Sequence, residues 1–151
     1  MEGTLKNTAD GLNHLIIIAN DGKEGYLQAT EIVGDSILKA VFARLAAERA
    51  EFADELRTLV QASGFEAETG GGPVGALHRV WVDIKTALVS NDEKSVLNEC
   101  IRGDRAAETA YETVMDENTL TDEQRNILLK QLKLTRDALF SLQQELDRFA
   151  D

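Results

Sequence analysis

The feature that most constrains the fold is a stripe of residues between positions 38 and 59. Its members alternate in steps of four and three: Leu38, Phe42, Leu45, Arg49, Phe52, Leu56 and Leu59. This spacing places them on one face of an α-helix, as in the interior of a helical bundle. All are apolar except the central arginine. Because an unpaired buried charge is strongly destabilising, we expect Arg49 to contact a carboxylate of a neighbouring helix.

Composition predicts one mostly helical domain over residues 1–151. The chain is long enough to bury a core, is 43% hydrophobic and contains a single proline. Its formal net charge is −11, and because nucleic acids and anionic membranes bind basic surfaces, we expect neither as a partner. The lone cysteine, Cys100, and the lack of a signal sequence or a long apolar run predict a soluble, cytoplasmic protein.

Hydrophobic periodicity predicts five helices, four long and one short. They cover residues 4–33, 36–63, 73–88, 91–115 and 122–149, within a few residues at each end. Asp35 or Ser36 is the expected N-cap of the second helix. Ser90 with Glu93 and Thr121 with Gln124 have the spacing of capping boxes for the last two helices. In the short helix, Pro73 occupies the first position.

The lengths of the connections predict how the helices are arranged. Helices one and two are tightly joined, as are four and five, so each pair is expected to be antiparallel. The glycine-rich stretch before Pro73 and the short helix would then return the chain along the bundle. Two hairpins joined by one long crossover are the ferritin-like arrangement of an all-α four-helix bundle. A simple five-helix array is the alternative.

A ferritin-like bundle predicts a site for iron or manganese ions, which such folds bind through Glu residues and Glu-x-x-His pairs. Neither His14 nor His78 follows a glutamate by three positions, so that motif is absent. Inward-facing acids at a suitable level leave an all-carboxylate metal site as one hypothesis. Its candidate ligands are Glu24, Glu48, Asp104 and Glu108.

The hypothesis we favour for the same region is a buried ion-pair network without a cofactor. A guanidinium among those acids would repel metal cations, so Arg49 fits a pairing with Asp104 or Glu108 better than a metal centre. Tyr111 would contribute its hydroxyl. Buried pairs of this kind can fix helix order and register.

Four blocks of residues together resemble a known family. They are Asp21-Gly22 with Gly25-Tyr26, then Arg49, Phe52 and Glu55-Leu56, then Leu77-His78-Arg79 with Trp81 and Lys85, and finally Glu99 with Arg102-Gly103 through Tyr111. In this order they resemble a group of uncharacterised bacterial proteins classed as a domain of unknown function in the ferritin-like superfamily. The resemblance implies a four-helix bundle with a crossover and implies no established activity. That family tends to have two acids after the glycine, whereas here Asp104 is followed by Arg105, which weakens a metal role.

Two functions therefore follow as expectations. The first is a non-enzymatic bundle with a structural, interaction or stress-related role, without a cofactor, which could act as a homo-oligomer such as a dimer. The alternative is a degenerate iron or manganese protein with oxidase, peroxidase or iron-handling activity, which requires the four carboxylates to converge.

Overall fold

The computed structural model describes residues 2–69 and 92–150. These residues form four α-helices: α1 (Glu2–Ile32), α2 (Ser36–Ala62), α3 (Glu93–Glu117) and α4 (Asp122–Arg148). They contain no strand, and each helix packs against two of the others. The prediction of an all-α four-helix bundle is confirmed. The predicted short helix over 73–88 lies outside the described residues, so it stays a prediction.

Capping interactions fix where two of the long helices begin. Asp35 is the N-cap of α2, and its carboxylate accepts a hydrogen bond of 2.9 Å from the Leu38 N–H. At the start of α4, the Thr121 hydroxyl accepts from the Gln124 N–H at 3.1 Å, while the Gln124 side-chain oxygen accepts from the Thr121 N–H at 2.9 Å. This reciprocal pair confirms the predicted capping box.

The start of α3 differs from the sequence prediction. Asp92, not Ser90, is the N-cap, and its carboxylate accepts from the Lys94 N–H at 3.2 Å. Glu93 is therefore the first residue of the helix rather than the third, so it does not occupy the capping-box position that was predicted for it. Ser90 itself lies outside the described residues. The Glu93 carboxylate accepts instead from the N–H of Gly34, beyond the end of α1, at 3.1 Å.

Two apolar clusters show the direction of each helix. One cluster lies where α1 joins α2, and it includes Ala29, Leu38, Leu97 and Leu142. The other lies where α3 joins α4, and it includes Leu12, Leu59, Val114 and Leu128. Helices α1 and α4 therefore run in one direction, and α2 and α3 run in the other. As a result, α2 ends and α3 begins at opposite ends of the bundle.

The chain reverses sharply where α2 ends. Gly64 has a φ of +86°, in the left-handed region, and the Phe65 N–H donates to the Val60 carbonyl at 3.3 Å. This combination is the Schellman arrangement that commonly terminates helices at glycine. The chain that follows is thereby turned back along the bundle.

Two side chains hold residues 65–69 against the first helix pair. The Asn13 amide donates to the Glu66 carbonyl at 3.0 Å and accepts from the Glu68 N–H at 2.9 Å. From α2, the Arg57 Nε donates to the Glu68 carbonyl at 3.0 Å. The segment leaving α2 is thus fastened to both α1 and α2 through its backbone.

None of the four helices in this part of the chain combines the length and apolar character needed to cross a lipid bilayer.

Removing the α4 cap should destabilise the bundle. In Thr121→Ala the N-terminal N–H groups of α4 lose their hydroxyl acceptor, and we expect the free energy of unfolding to fall by about 1 kcal/mol. Urea denaturation followed by circular dichroism measures this. Thr113→Ala, at an exposed position inside α3, is the matched control and should cause no loss. Equal stability of the two variants would contradict the assigned cap.

Candidate functional site

The centre of the bundle contains a fully buried ion pair between α2 and α3. The Arg49 side chain is 3% exposed and that of Asp104 is 0% exposed. Arg49 Nη1 donates to Asp104 Oδ1 at 2.6 Å and Nη2 donates to Oδ2 at 3.0 Å. Because α2 and α3 begin at the same end of the bundle, Arg49, thirteen residues into α2, and Asp104, eleven residues into α3, lie at one level. The pairing is bidentate, the strongest geometry for these groups.

Tyr26 of α1 supplies the third member of this centre. Its hydroxyl donates to Asp104 Oδ2 at 2.6 Å, and its side chain is completely buried. Burial and the nearby Asp104 carboxylate raise the pKa of the Tyr26 hydroxyl well above its usual value, so the phenol stays protonated and remains a donor. The Asp104 carboxylate thus accepts three hydrogen bonds, from residues of two other helices.

Two aromatic rings enclose the guanidinium. The carbon at its centre lies 5.5 Å from the centroid of the Tyr26 ring and 5.4 Å from that of Phe52, within range of a cation–π interaction. Burial lowers the pKa of the Arg49 guanidinium, but the Asp104 carboxylate together with Tyr26 and Tyr111 outweighs this, and the pKa is raised overall. Arg49 is therefore a permanent cation in an aromatic enclosure. We refer to Tyr26, Arg49, Phe52 and Asp104 as the polar centre.

A second buried polar contact links α3 to α4 and α2. The Tyr111 hydroxyl donates to Gln131 Oε1 at 2.5 Å, and Gln131 Nε2 donates to the Phe52 carbonyl at 3.3 Å and to Glu55 Oε1 at 3.1 Å. The Tyr111 hydroxyl therefore contacts Gln131 rather than Arg49 or Asp104, and it joins the buried polar groups through Gln131 and the Phe52 carbonyl. Tyr111 lies seven residues beyond Asp104, which is roughly 10 Å further along the helix.

Of the two acids predicted as alternative partners of Arg49, Asp104 is the one that pairs with it and Glu108 is not. The Glu108 carboxylate accepts from Arg136 Nε of α4 at 2.8 Å, at the edge of the bundle. Glu108 is one turn beyond Asp104 and is rotated by roughly 40° around α3, which directs it toward α4.

The four carboxylates of the metal hypothesis do not converge. The Glu24 side chain is 54% exposed, because it is on the side of α1 away from Tyr26. Its Oε1 lies 3.7 Å from Lys23 Nζ. Glu108 is paired with Arg136, and Asp104 is paired with Arg49. Across residues 2–69 and 92–150, no three His, Cys, Asp or Glu side chains are arranged to hold a metal ion. The predicted grouping of Glu24, Glu48, Asp104 and Glu108 is therefore wrong.

Glu48 lies beside the polar centre, and one of its carboxylate oxygens has no hydrogen-bond partner among the described residues. Its side chain is 17% exposed, and its Oε1 is 4.0 Å from Arg49 Nε. Neither atom has a hydrogen-bond partner in the described part of the chain. Burial raises the pKa of the Glu48 carboxyl, and the charges of Arg49 and Arg44 only partly oppose this.

Burial shifts the pKa values of two further candidates, Cys100 and His14. Cys100 is buried, and burial raises the pKa of its thiol well above the usual value, which disfavours the reactive thiolate. Burial lowers the pKa of His14. His78 lies outside the described residues.

Removing the cation from the buried pair should be costly. In Arg49→Met the Asp104 carboxylate stays buried without its partner, and we expect the free energy of unfolding to fall by about 3–5 kcal/mol. The double variant Arg49→Met/Asp104→Leu removes both charges and should recover most of that loss. Urea denaturation measures all three proteins.

The control for this comparison is Arg105→Met, which replaces an exposed arginine of α3. It should change the free energy of unfolding by less than about 0.5 kcal/mol. If Arg49→Met behaved like this control, the buried pair would not be the central interaction proposed here.

The raised pKa of Glu48 predicts a pH dependence of stability. The folded protein binds the carboxyl proton of Glu48 more tightly than the unfolded chain does. The contribution of Glu48 to the free energy of unfolding is therefore fully present below the unfolded pKa of about 4.5, and it is lost as the pH rises through the folded pKa. Glu48→Gln has no ionisable group at this position, so it avoids the loss of stability that accompanies ionisation of Glu48. We therefore expect it to be more stable than the parent at neutral pH, with a difference that shrinks as the solution is acidified.

Urea denaturation over a pH series tests this expectation, with Glu51→Gln on the exposed side of α2 as the control. A lower stability of Glu48→Gln at neutral pH would show that the attraction between Glu48 and Arg49 outweighs the burial of the carboxylate.

One family matches most of this chain. Its description is "Domain of unknown function (DUF2383)", and the match covers residues 7–117. These residues include Tyr26, Arg49 and Asp104, whereas Gln131 and the rest of α4 lie beyond the match. No curated protein matches the chain. Because well over half of the 151 residues are matched, the chain belongs to the DUF2383 family of domains of unknown function.

Proposed function

We propose that this protein is a non-enzymatic, ferritin-like helical bundle with a structural or interaction role. In this proposal the polar centre is an internal device that holds three helices in one order and one register. It does not bind a substrate or a metal ion. The observation that carries the proposal is that both oxygens of the Asp104 carboxylate accept hydrogen bonds from Arg49 or Tyr26.

The helix directions support the ferritin-like part of the proposal. Helices that pack against each other are antiparallel, and α2 ends at the opposite end of the bundle from the start of α3. Two hairpins joined by one long crossover have this arrangement. The backbone contacts of Asn13 and Arg57 already direct residues 65–69 away from the end of α2.

The chemistry of the polar centre argues against a metal role. A metal ion bound to Asp104 would have to displace the guanidinium or share the buried carboxylate with it. Two cations a few ångströms apart in a poorly solvated interior repel each other strongly. At Glu48, the other nearby acid, burial raises the pKa and so disfavours the ionised carboxylate that a metal ion would bind.

The interaction role depends on the outer surface of the described residues. Five large apolar side chains are at least 44% exposed: Leu5, Leu27, Ile37, Leu129 and Phe140. They are spread over α1, α2 and α4, and single exposed apolar residues are common in soluble proteins. A homodimer therefore stays a prediction.

Metal analysis tests the proposed function directly. The protein is purified without chelators from cells grown with added iron and manganese, and its metal content is measured by inductively coupled plasma mass spectrometry. We expect far less than one ion per chain. The matched comparison is Glu48→Gln, which removes a candidate carboxylate ligand and leaves the buried ion pair intact. A stoichiometric metal in the parent that is lost from this variant would overturn the proposal in favour of the di-metal alternative.

A further inference from the structure

A cavity opens at the end of the bundle where α3 connects to α4. The first turns of α1 and the last turn of α2 form its other walls, and its volume is about 490 Å³. Pockets that bind small molecules have volumes of roughly 300–1,000 Å³. The cavity is separate from the polar centre, which lies among the middle turns of the helices.

The lining of this cavity is uncharged. None of the described residues that surround it is acidic or basic, although charged residues make up 28% of the chain. Leu5, Ala62 and Leu120 contribute apolar surface. A charged ligand would find no opposite charge here and would lose its hydration, so the lining favours a neutral molecule.

Three of the hydroxyl groups in the walls are engaged within the protein. Thr8 donates to the Thr119 carbonyl at 3.0 Å, and Ser63 donates to the Leu59 carbonyl at 3.0 Å. The hydroxyl of Thr121 accepts in the capping box of α4. These groups therefore offer little additional binding energy to a ligand.

Gln124 differs from these three groups, because its amide nitrogen is poorly satisfied. The residue is 8% exposed, and its Oε1 is fixed by the Thr121 N–H at 2.9 Å. The nearest acceptor for Nε2 is the Ser63 hydroxyl at 3.5 Å, a distance at which a hydrogen bond is weak. The capping box thus holds a buried donor in a fixed orientation at the cavity wall.

We propose that this cavity binds a neutral, mostly apolar small molecule that carries a carbonyl group. The apolar part of the ligand contacts Leu5, Ala62 and Leu120, and its carbonyl oxygen accepts a hydrogen bond from Gln124 Nε2. Because the capping box orients Gln124 before binding, little conformational entropy is lost when this hydrogen bond forms. The site is independent of the polar centre, so this inference goes beyond the proposed function.

Two neutral fluorescent dyes test the site on the full chain. Prodan is a naphthyl ketone, and N-phenylnaphthylamine is of similar size but has no carbonyl. We expect saturable binding of one prodan per chain, with a blue shift of its emission. Gln124→Glu keeps the oxygen that accepts from Thr121 but removes the amide donor. It should weaken prodan binding roughly three- to tenfold and leave N-phenylnaphthylamine binding unchanged or tighter.

Filling the cavity provides the second test. Ala62→Trp places a large side chain in the cavity and should abolish binding of both dyes. Thr4→Trp, on another wall, is a second filling variant in case the first does not fold, as judged by circular dichroism. Ala43→Trp is the matched control, because Ala43 is also an exposed alanine of α2 but does not line the cavity.

Three results would overturn the inference. The first is the absence of saturable prodan binding to the parent protein. The second is an equal effect of tryptophan at positions 43 and 62, which would place the dye elsewhere. The third is an equal loss of both dyes in Gln124→Glu, which would remove the proposed hydrogen bond to the carbonyl.

Discussion

The buried pair of Arg49 and Asp104 is the interaction on which the arrangement of the helices depends. A charged group that leaves water must find its partner at the correct level, and each helical turn advances the chain by about 5.4 Å. If α2 and α3 slipped by one turn, both charges would be buried without their partner. Tyr26 extends the same requirement to α1, because its hydroxyl donates to the carboxylate that holds the arginine. Apolar contacts alone tolerate such slips far better, since one leucine can replace another.

Phe52 connects this ion pair to the fourth helix through two different parts of one residue. Its ring covers the Arg49 guanidinium, and its carbonyl accepts from Gln131 of α4. Gln131 in turn accepts from the Tyr111 hydroxyl of α3. The polar groups therefore form one continuous set across all four helices, between the two apolar clusters. This continuity explains how a chain with long, similar, leucine-rich helices can favour one arrangement over its alternatives.

Much of the fold was visible in the sequence, whereas the detailed composition of the site was not. The spacing around Arg49 indicated a buried cation, and the capping residues at Asp35 and Thr121 marked two helix starts. Tyr26 was missed because an aromatic residue in a helical stripe has the same pattern whether or not its hydroxyl finds a partner. Gln131 was missed because a lone glutamine on a helix carries no such periodic signal. These contacts depend on the axial position and the rotation of one helix relative to its neighbours. The spacing of residues within a single helix does not predict either quantity.

The errors concerning acids have a common physical origin. Glu24 and Glu108 were placed near the centre because they are close in sequence to buried residues, yet a helix turns by about 100° per residue. Two residues from Tyr26, Glu24 faces solvent, and four residues from Asp104, Glu108 faces α4. The error at the start of α3 has a different origin. Several neighbouring polar residues there can act as an N-cap, and the structure uses Asp92 rather than the predicted Ser90.

The attachment of residues 65–69 has a consequence for how this segment can vary. Asn13 and Arg57 hold it through main-chain atoms of Glu66 and Glu68, so nearly any residue type at those two places can be held equally well. Mutational drift is thus permitted at these two positions while the path of the segment stays constant, and the evolutionary constraint falls on the Asn13 and Arg57 side chains that hold it.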